Sequence, residues 1–322
     1  MPAPIGYRGV DCLFAFSPSN GCGPRMSVGR KTQYKLVALD IDGTVINAAQ
    51  EVSPALKRAL SALPGLGVRT VLCTGRRWRT AVPVLEQLEH VHPLVVCCGG
   101  ALIKQADDEE TLFSAPMEDS AARTVADLLR GLDLVPLFLY DRPLSGRELA
   151  VSECDRARAE RLPYVQANRE WVEWLPSDYP PGPEPPLEVY TMDDTAVVGP
   201  AEPRVRRGIG ALGLVEAMLQ ERYGAGQLAL EVHHPSATKW HALLWLLDSW
   251  RIRPEEVVAI GDDVNDVPML RAAGRSFAMG NAVPEVIAVA DAVTASNEED
   301  GVAAALRTAF PIAAEEGADH EQ

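Results

Sequence analysis

The chain has 322 residues, of which 47% are hydrophobic, and a formal net charge of −15 at pH 7. This length suits two domains, and the negative charge argues against a nucleic-acid-binding surface or a surface that binds anionic membranes. No apolar run approaches the ~18–20 residues that a membrane-spanning helix needs. We therefore expect a two-domain globular protein that binds neither nucleic acid nor membrane.

The first 33 residues differ from the rest, being mildly basic and rich in Gly, Ser and Pro around a short apolar patch, Cys12 to Phe16. The patch is too short for the core of a signal peptide. We interpret 1–33 as a flexible N-terminal extension or a mis-assigned start.

The six cysteines include no C-x-x-C pair and several fall in predicted strands, which indicates reduced thiols in a cytoplasmic protein.

The first predicted strand carries the strongest chemical signal. The run Tyr34 to Thr44, YKLVALDIDGT, is apolar until it ends in Asp40 and Asp42, which are followed by Gly43. Such a run is typical of a buried parallel strand. In an open α/β sheet the residues just beyond the carboxyl end of a strand line the ligand crevice. We therefore expect both carboxylates to face a substrate.

Two carboxylates this close ionise together only if a cation lies between them; otherwise one keeps its proton. A Mg²⁺ ion would neutralise the pair, and a carboxylate can also be a covalent nucleophile. An EF-hand loop begins D-x-D too, and Glu51 falls at its twelfth position, but its sixth position requires Gly and is Val45 here. A chance acidic turn is the alternative that the motif alone leaves open.

The next elements repeat the order of a strand followed by polar residues. We predict a helix from Pro54 to Leu63 and a strand from Val68 to Cys73, which ends in Thr74-Gly75-Arg76. A hydroxyl and free backbone N–H groups at a helix start can bind phosphate, although Thr-Gly is also common in ordinary turns. A helix near Thr80 to Glu89 and a strand from Leu94 to Cys98 follow.

About 125 residues, from roughly 104 to 228, separate this part from the next motif, which is enough for a domain. The Pro-rich run 176–186 cannot pair in a sheet and predicts a surface loop. The other predicted elements are a helix Ala121 to Leu132, strands Leu134 to Tyr140 and Leu187 to Met192, a long helix Arg204 to Tyr223 and a strand Gln227 to His233.

Lys239 lies near the start of a predicted amphipathic helix. The helix has an i, i+3, i+4, i+7 apolar stripe formed by Trp240, Leu243, Leu244 and Leu247. A lone helical lysine is usually solvated. Lys239 therefore indicates a functional site only in combination with the other motifs.

A second acidic strand end follows at Val257 to Leu270, VVAIGDDVNDVPML, where an apolar run ends in Gly261-Asp262-Asp263 and then Asn265-Asp266. Three carboxylates in five residues repel each other, and a divalent cation converts that repulsion into binding. A helix dipole that stabilises an acidic N-terminus explains one Asp but not three. This segment therefore predicts a cation site.

Together these four motifs resemble those of the haloacid dehalogenase superfamily of phosphotransferases. The final run, continued by Met269-Leu270, is similar to the Cof-like branch, which carries a type IIB cap and consists mostly of Mg²⁺-dependent phosphatases of small phosphorylated metabolites. The resemblance covers roughly 34–103 and 228–310. Its motifs are Asp40-x-Asp42-Gly43-Thr44, Thr74-Gly75-Arg76, Lys239 and Gly261-Asp262-Asp263-x-Asn265-Asp266.

The resemblance implies a role for each motif residue. Asp40 would be the nucleophile, and Asp42 would protonate the leaving alcohol and then activate water. Mg²⁺ would be bound by Asp40, the backbone carbonyl of Asp42 and Asp262. The phosphate would be held by Thr74, Gly75, Lys239 and Asn265, although Asn265 also belongs with Asp263 and Asp266 as a residue that would orient Lys239. Asp263, Asp266 and Arg76 would not contact the metal or the phosphate themselves but would hold the residues that do.

The chain departs from the family pattern at two positions. Relatives commonly carry Asn-Gly after the third core strand, and Gly99 stands here in place of that Asn. The residue after the motif lysine is usually Gly, and here it is Trp240. Neither change touches the core chemistry, but both argue against copying the substrate preference of a particular relative.

The resemblance implies an α/β fold, with a doubly wound, Rossmann-like parallel-sheet core formed by 34–103 and 229–322. An α+β cap, residues 104–228, would be inserted into this core, because the roughly 30 residues between the first two motifs leave no room for one there. The cap would exclude bulk water and recognise the leaving group of the substrate. Candidates to contact that group are Tyr140, Arg142, His233 and His234, each of which is more often an ordinary surface or core side chain.

The sequence thus predicts Mg²⁺-dependent hydrolysis of a small phosphomonoester through a phospho-aspartate at Asp40. A sugar phosphate is the first expectation, followed by nucleotide, flavin or pyridoxal phosphates, and the protein would be a cytoplasmic monomer or homodimer. A phosphomutase is an alternative, but it usually has a small helical cap after the first motif. A catalytically idle metabolite-binding or regulatory protein on the same fold is another, against which the complete motifs argue.

Overall fold

The computed structural model describes residues 34–88, 91, 93–141, 146–176, 184–210, 216–221 and 226–312. Its strands are β1 Leu36–Asp40, β2 Arg69–Cys73, β3 Leu94–Cys97, β4 Leu102–Gln105, β5 Thr111–Ser114, β6 Leu137–Leu139, β7 Leu149–Ser152, β8 Val172–Leu175, β9 Glu188–Asp194, β10 Glu216–Glu221, β11 Gln227–His233, β12 Val257–Gly261, β13 Arg275–Ala278 and β14 Ala292–Val293. Its α-helices are α1 Pro54–Ala62, α2 Trp78–Leu85, α3 Asp119–Gly131, α4 Arg156–Ala159, α5 Pro163–Ala167, α6 Thr195–Val198, α7 Glu202–Gly210, α8 Lys239–Trp250, α9 Val267–Ala272, α10 Pro284–Ile287 and α11 Gly301–Ala309.

Eight strands form the first sheet, in the order β14-β13-β12-β1-β2-β3-β4-β5. The strands from β14 to β3 are parallel, and β4 and β5 extend one edge in antiparallel pairing. The sheet order runs outwards from β1 and β12 in opposite directions. Their carboxyl ends therefore form the switch point at which open α/β sheets bind ligands.

Helices pack on both faces of this sheet. The apolar side chains of α1, α2 and α11 cover the face that carries Val37 and Leu39 of β1. Those of α8 and α9 cover the opposite face, which carries Leu36 and Ala38. All five residues of β1 are buried because helices cover both of its faces. The predicted doubly wound α/β core is confirmed.

Six strands form the second sheet, in the order β10-β11-β9-β6-β7-β8, antiparallel except for the parallel pair β7 and β8. Helices α3 and α7 cover one face. The connection between β7 and β8 contains α4 and α5, and Tyr164 of α5 belongs to the same apolar cluster as Val37 of the first sheet. The second sheet is thus the predicted inserted α+β unit, joined to the core by shared apolar packing.

Short capping signals in the sequence begin the helices that matter for the site. Ser53 caps α1 by accepting a hydrogen bond from the Leu56 backbone N–H, and Pro54 occupies the first helical position. The Thr238 hydroxyl accepts a hydrogen bond from the His241 backbone N–H and so caps α8. Lys239 is therefore fixed as the first residue of its helix.

The predicted long helix Arg204 to Tyr223 is wrong in its second half. Helix α7 ends at Gly210, and residues 216–221 form the strand β10, which pairs antiparallel with β11. Three glycines, at 208, 210 and 213, weaken a helix here. The helix-forming residues that follow are held extended by pairing with β11, a tertiary interaction that local propensity does not report.

The apolar stripe predicted for α8 is also shifted. The buried residues of α8 are Lys239, Ala242, Leu243, Leu246 and Leu247. Leu244, predicted to be buried, is exposed. The i, i+3, i+4, i+7 pattern holds, but it starts at Lys239 rather than at Trp240, because the lysine itself faces the interior.

The strands lie somewhat differently from the predicted domain boundaries. Strands β4 and β5 belong to the first sheet, so the core sheet extends to Ser114 rather than to 103. Strand β11 covers the predicted range, Gln227–His233, and belongs to the second sheet, so this sheet continues past the predicted cap boundary at 228. The predicted extension 1–33 and most of the Pro-rich run 176–186 lie outside the described residues.

Candidate active site

Asp40 is the last residue of β1 and lies buried at the carboxyl edge of the first sheet, with 5% of its surface exposed. The Lys239 ammonium donates a hydrogen bond to Asp40 Oδ1 at 2.5 Å. Burial raises the pKa of Asp40 well above its usual range, although the charge of Lys239 acts against this rise. Further positive charge beside Asp40 would favour its ionised form.

Lys239 is the centre of the charged cluster and is only 2% exposed. Its ammonium donates to Asp40 Oδ1 at 2.5 Å, to Asp266 Oδ1 at 2.7 Å and to Asn265 Oδ1 at 3.0 Å. Burial acts to lower the pKa of Lys239, but the charges of Asp266 and Asp40 outweigh it and raise the pKa. The three predicted residues Lys239, Asn265 and Asp266 are thus brought together with Asp40.

Asp262 follows β12 and faces the loop after β1. The Thr44 hydroxyl donates to Asp262 Oδ1 at 2.9 Å. Gly43 has a positive φ of 75°, and a Cβ at this position would overlap the Asp262 carboxylate. Glycine is therefore required both by the backbone conformation and by the close approach of Asp262. Burial raises the pKa of Asp262 to about 6, and the nearby charge of Asp266 acts in the same direction.

The carboxylates of Asp40, Asp262 and Asp266 each place an oxygen within 4.8 Å of the others. Asp266 is already occupied, because its Oδ2 accepts hydrogen bonds from the backbone N–H groups of Asp262 and Asp263 and its Oδ1 accepts one from Lys239. Asp40 and Asp262 are therefore the carboxylates best placed to bind a cation. Carboxylate oxygens this close together are the hard donors that a divalent cation such as Mg²⁺ prefers.

The carboxylate of Asp42 is bound by Arg76. Arg76 donates from Nε to Asp42 Oδ2 at 2.9 Å and from Nη2 to Oδ1 at 2.6 Å, a bidentate pair. Arg76 is itself held by the Thr80 carbonyl and the Gln50 side chain. The Asp42 side chain is 53% exposed. Arg76 thus fixes the orientation of the Asp42 carboxylate.

Thr74 follows β2 and is fully buried. Its backbone N–H donates to Val96 O of the neighbouring strand end, and its hydroxyl accepts a hydrogen bond from the Arg76 N–H at 3.0 Å. The Cys98 and Gly99 N–H groups donate to the Arg76 and Thr74 carbonyls. The loop Thr74-Gly75-Arg76 is therefore fixed from the side of β3 at the same sheet edge as Asp40.

The loop after β3 also contacts the start of α8. Gly100 has a φ of 119°, and a Cβ there would overlap the Thr238 backbone. This close approach places the segment with Gly99 directly against the helix that carries Lys239. The Gly99 departure from the family pattern thus lies between two predicted phosphate-binding segments.

The remaining predicted residues contribute less to this cluster. Asp263 accepts a hydrogen bond from the Val264 N–H and caps the following turn. Tyr140 and His233 are buried, with Tyr140 inside the apolar cluster under α3, and the His234 ring accepts a hydrogen bond from the Ser236 N–H. Arg142 lies outside the described residues.

Two contacts of the site escaped the sequence reasoning. Thr44 is part of the first motif, but the sequence motifs predict no function for it. Its hydroxyl nevertheless donates a hydrogen bond to Asp262. Asn281 donates from Nδ2 to the Gly43 carbonyl at 2.8 Å, across 238 residues of chain. A hydroxyl beside a predicted metal ligand was a usable signal for Thr44. No local pattern marks Asn281.

Known proteins match this chain along most of its length. A HAD subclass IIB sugar phosphatase of solved structure has a TM-score of 0.66, covers 87% of this chain and all of its own, and is 20% identical, which shows the fold alone. Phosphatase YwpJ of Bacillus subtilis is 28% identical over 290 residues, 84% of this chain and 97% of the relative. The 5-amino-6-(5-phospho-D-ribitylamino)uracil phosphatase YwtE of the same organism is 25% identical over 281 residues, 84% and 96% of the two chains.

None of the helices in the described part of the chain has the length and hydrophobicity needed to cross a membrane. The sequence profile described as haloacid dehalogenase-like hydrolase matches residues 37–306. This match covers both sheets and all four motifs, and the phosphatases among the relatives align over nearly their whole length. The chain therefore belongs to the haloacid dehalogenase-like hydrolase family, as a phosphatase.

Proposed function

We propose that the protein hydrolyses a small phosphomonoester through a phospho-aspartate formed on Asp40, with Mg²⁺ as its cofactor. The observation that carries this proposal is the buried Asp40 carboxylate at the end of β1, bonded to Lys239 and beside Asp262. A nucleophile, a fixed cation and an acidic cation site meet at the switch point of the sheet. These are the parts that phosphoryl transfer to a carboxylate requires.

In the first step an Asp40 oxygen forms a bond to phosphorus while the bond from phosphorus to the alcohol oxygen breaks. Lys239 and the Thr74 hydroxyl hold phosphoryl oxygens. Asp42 gives its proton to the leaving oxygen. In the second step Asp42 takes a proton from water, the water oxygen bonds to phosphorus, and the Asp40–phosphorus bond breaks to release phosphate. General acid–base catalysis of this kind contributes about 10²–10⁴-fold.

Asp42 must leave Arg76 at least partly to take up this role, because the guanidinium occupies both carboxylate oxygens that would pass the proton to the leaving group. Its exposed position at the sheet edge allows such a movement. Arg76 would then be free to bind an anionic substrate. We infer that substrate binding exchanges the partner of Arg76 and prepares Asp42 as the acid.

Mg²⁺ bound by Asp40 and Asp262, with the backbone carbonyl of Asp42 as a third ligand, would offset the charges of the carboxylates and of the phosphate. Asp266 would keep Lys239 in place rather than bind the metal, because hydrogen bonds already occupy both of its oxygens. Gly75 would present its backbone N–H to the phosphate. Asn265 would orient Lys239.

The second sheet and its helices, from α3 to β11, would act as the cap, and residues 34–114 with 234–322 would act as the core. A sugar phosphate is the substrate class we favour. The relatives include a phosphatase of a phosphorylated ribityl chain and, in fold, a sugar phosphatase. Both names describe a phosphate on a polyhydroxylated carbon chain. Flavin-type, nucleotide and pyridoxal phosphates are the next candidates.

A cytoplasmic location agrees with the free cysteines among the described residues, Cys73, Cys97, Cys98 and Cys154. A phosphomutase is less well supported, because a phosphomutase cap follows the first motif and here the inserted sheet follows β5. A catalytically idle binding protein on this fold would not need Asp40, Asp42, Lys239 and Asp262 together.

Phosphate release from a panel of phosphorylated sugars, nucleotides and cofactors tests the proposal. Wild type with Mg²⁺ should release phosphate, and Asp40→Asn and an EDTA-treated sample should not, since Asn keeps the shape and removes the nucleophile. Asp248→Asn is the matched control, because Asp248 lies exposed on α8 and the same substitution there should leave activity unchanged. Full activity of Asp40→Asn would overturn the phospho-aspartate.

A further inference from the structure

Two arginines of the segment that follows Thr74 reach across to the cap. Arg77 Nη2 and Arg79 Nη2 each donate a hydrogen bond to the same atom, Asn168 Oδ1, at 3.0 Å. Asn168 directly follows α5, in the connection between β7 and β8. One amide oxygen of the cap therefore joins two guanidinium groups of the core.

The amide of Asn168 is held firmly on the cap side. Its Nδ2 donates to the Tyr164 carbonyl at 2.8 Å, and the Tyr164 hydroxyl is bonded to the Tyr190 hydroxyl of β9 at 3.0 Å. The Arg79 guanidinium lies over the Trp171 ring, 4.2 Å from its centroid. The position of Asn168 therefore follows the position of the cap sheet.

The core side of the contact belongs to the loop that carries the proposed phosphate-binding groups. Arg77 is buried and directly precedes α2, and its backbone carbonyl accepts hydrogen bonds from the Thr80 hydroxyl and backbone N–H. Arg76, the preceding residue, binds Asp42. Thr74, Arg76 and Arg77 are thus set by one short loop, so a displacement of Arg77 is transmitted to both neighbours.

Resting on the proposed function, we propose that Asn168 is a positioning residue for phosphoryl transfer, which sets the Thr74-to-Arg79 loop in its working arrangement when the cap is closed. The two guanidiniums converge on a neutral oxygen although they repel each other. Burial and the charge of Arg77 lower the pKa of Arg79 below its usual value. Their convergence is therefore maintained by Asn168 and by the nearby Glu148 carboxylate, 3.4 Å from Arg79 Nε.

Changes at Asn168 should leave the fold intact, because the cap has other contacts with the core. Lys104 of β4 forms an ion pair with Asp141, just beyond β6, at 2.8 Å. The apolar cluster shared by both sheets also remains. Asn168→Ala removes the shared acceptor. Asn168→Asp places a carboxylate between two guanidiniums, a stronger bond, at the loss of the hydrogen bond to the Tyr164 carbonyl.

Hydrogen exchange of the full-length protein with Mg²⁺ tests the role without turnover. Asn168→Ala should speed exchange about tenfold or more in the peptide 74–81 as well as in 163–171, because it removes the two charge-assisted hydrogen bonds from Arg77 and Arg79. Asn168→Asp should return the exchange of 74–81 to the wild-type rate or below it. Gln166→Ala is the matched control, since this exposed amide of α5 bonds only to the Glu160 carbonyl within the cap among the contacts described. It should leave 74–81 unchanged.

Unchanged exchange of 74–81 in Asn168→Ala, or equal acceleration by Asn168→Ala and Asn168→Asp, would overturn the proposal. On a substrate identified by phosphate release, kcat of Asn168→Ala should fall about tenfold while Gln166→Ala keeps wild-type kcat; unchanged kcat would also overturn it. A failure of the proposed function would instead appear as absence of phosphate release by the wild type, and the exchange results would stand independently.

Discussion

Thr44→Val should weaken Mg²⁺ binding by the carboxylate that Thr44 contacts. The Thr44 hydroxyl donates to Asp262 Oδ1 at 2.9 Å in a buried setting. Valine has nearly the same shape, so the substitution removes the donor and leaves the packing in place. A hydrogen bond to a charged group contributes about 1.5–3 kcal/mol. Loss of a group that orients a metal ligand lowers metal affinity by about 10–100-fold, which agrees with that energy at 1.4 kcal/mol per factor of ten.

The same bond affects the protonation of Asp262. Burial raises the pKa of Asp262 to about 6, and the Thr44 hydrogen bond acts in the opposite direction by stabilising the carboxylate. Removing the hydroxyl should raise this pKa further, so that protons compete with Mg²⁺ at higher pH. The half-saturating Mg²⁺ concentration of Thr44→Val should therefore rise more steeply below pH 7 than that of wild type.

The assay is phosphate release as a function of Mg²⁺ concentration, supported by calorimetric titration with Mg²⁺. Thr44→Ser is the control, since it keeps the hydroxyl and loses the methyl group. We expect Ser to remain close to wild type and Val to need about 10–100-fold more Mg²⁺, with kcat at saturation changed little. Equal Mg²⁺ requirements for wild type and Val would refute the reasoning. Equal impairment of Ser and Val would assign the effect to packing of the methyl group.

Three further expectations concern other groups. Asp42→Asn should lower kcat about 10²–10⁴-fold and allow the phosphoenzyme to accumulate, which intact mass spectrometry detects. Asp262 has a folded pKa raised to about 6, so the metal-free fold loses stability as pH rises through that value; Mg²⁺ should raise the melting temperature more at pH 7.5 than at pH 5. The Arg253 backbone N–H and the Lys35 ammonium lower the pKa of Glu256 to about 2. Glu256→Gln should therefore cost about 1 kcal/mol at pH 7, and denaturant titrations should show this difference vanishing as pH falls from about 4.5 to 2.

Much of the fold could be predicted because the chemistry of the core is local in the sequence. The strand that ends at Asp40, the strand that ends at Cys73 and the strand before Asp262 each show a short apolar run followed by polar residues. Parallel strands bring their carboxyl ends to one edge of the sheet, so local patterns are enough to bring these residues together. Lys239 was identified as a site residue only by its motif. Its burial explains why the apolar stripe of α8 starts one residue earlier than predicted.

The parts that failed depend on contacts distant in sequence. Strand β10 is built from residues that favour a helix, and only its pairing with β11 holds it extended. Strands β4 and β5 join the first sheet by antiparallel pairing, which no local sequence pattern predicts. Asn281 contacts the Gly43 carbonyl only after the chain has folded. Helix propensity and periodicity describe neighbours in the chain, so none of these contacts could be read from them.

The charge distribution explains how a chain with a net charge of −15 can bind a phosphate ester. Among the described residues, Lys239 is the ammonium that the carboxylates of Asp40 and Asp266 share, and Asp262 lies beside them. One ammonium does not balance three carboxylates, and a dianionic phosphate would add to the excess. Binding of a divalent cation neutralises this excess of negative charge at short range, where screening by salt is weak. We therefore expect Mg²⁺ and substrate to strengthen each other's binding, so that the substrate KM falls as Mg²⁺ rises; a KM independent of Mg²⁺ across its half-saturating range would contradict this electrostatic argument.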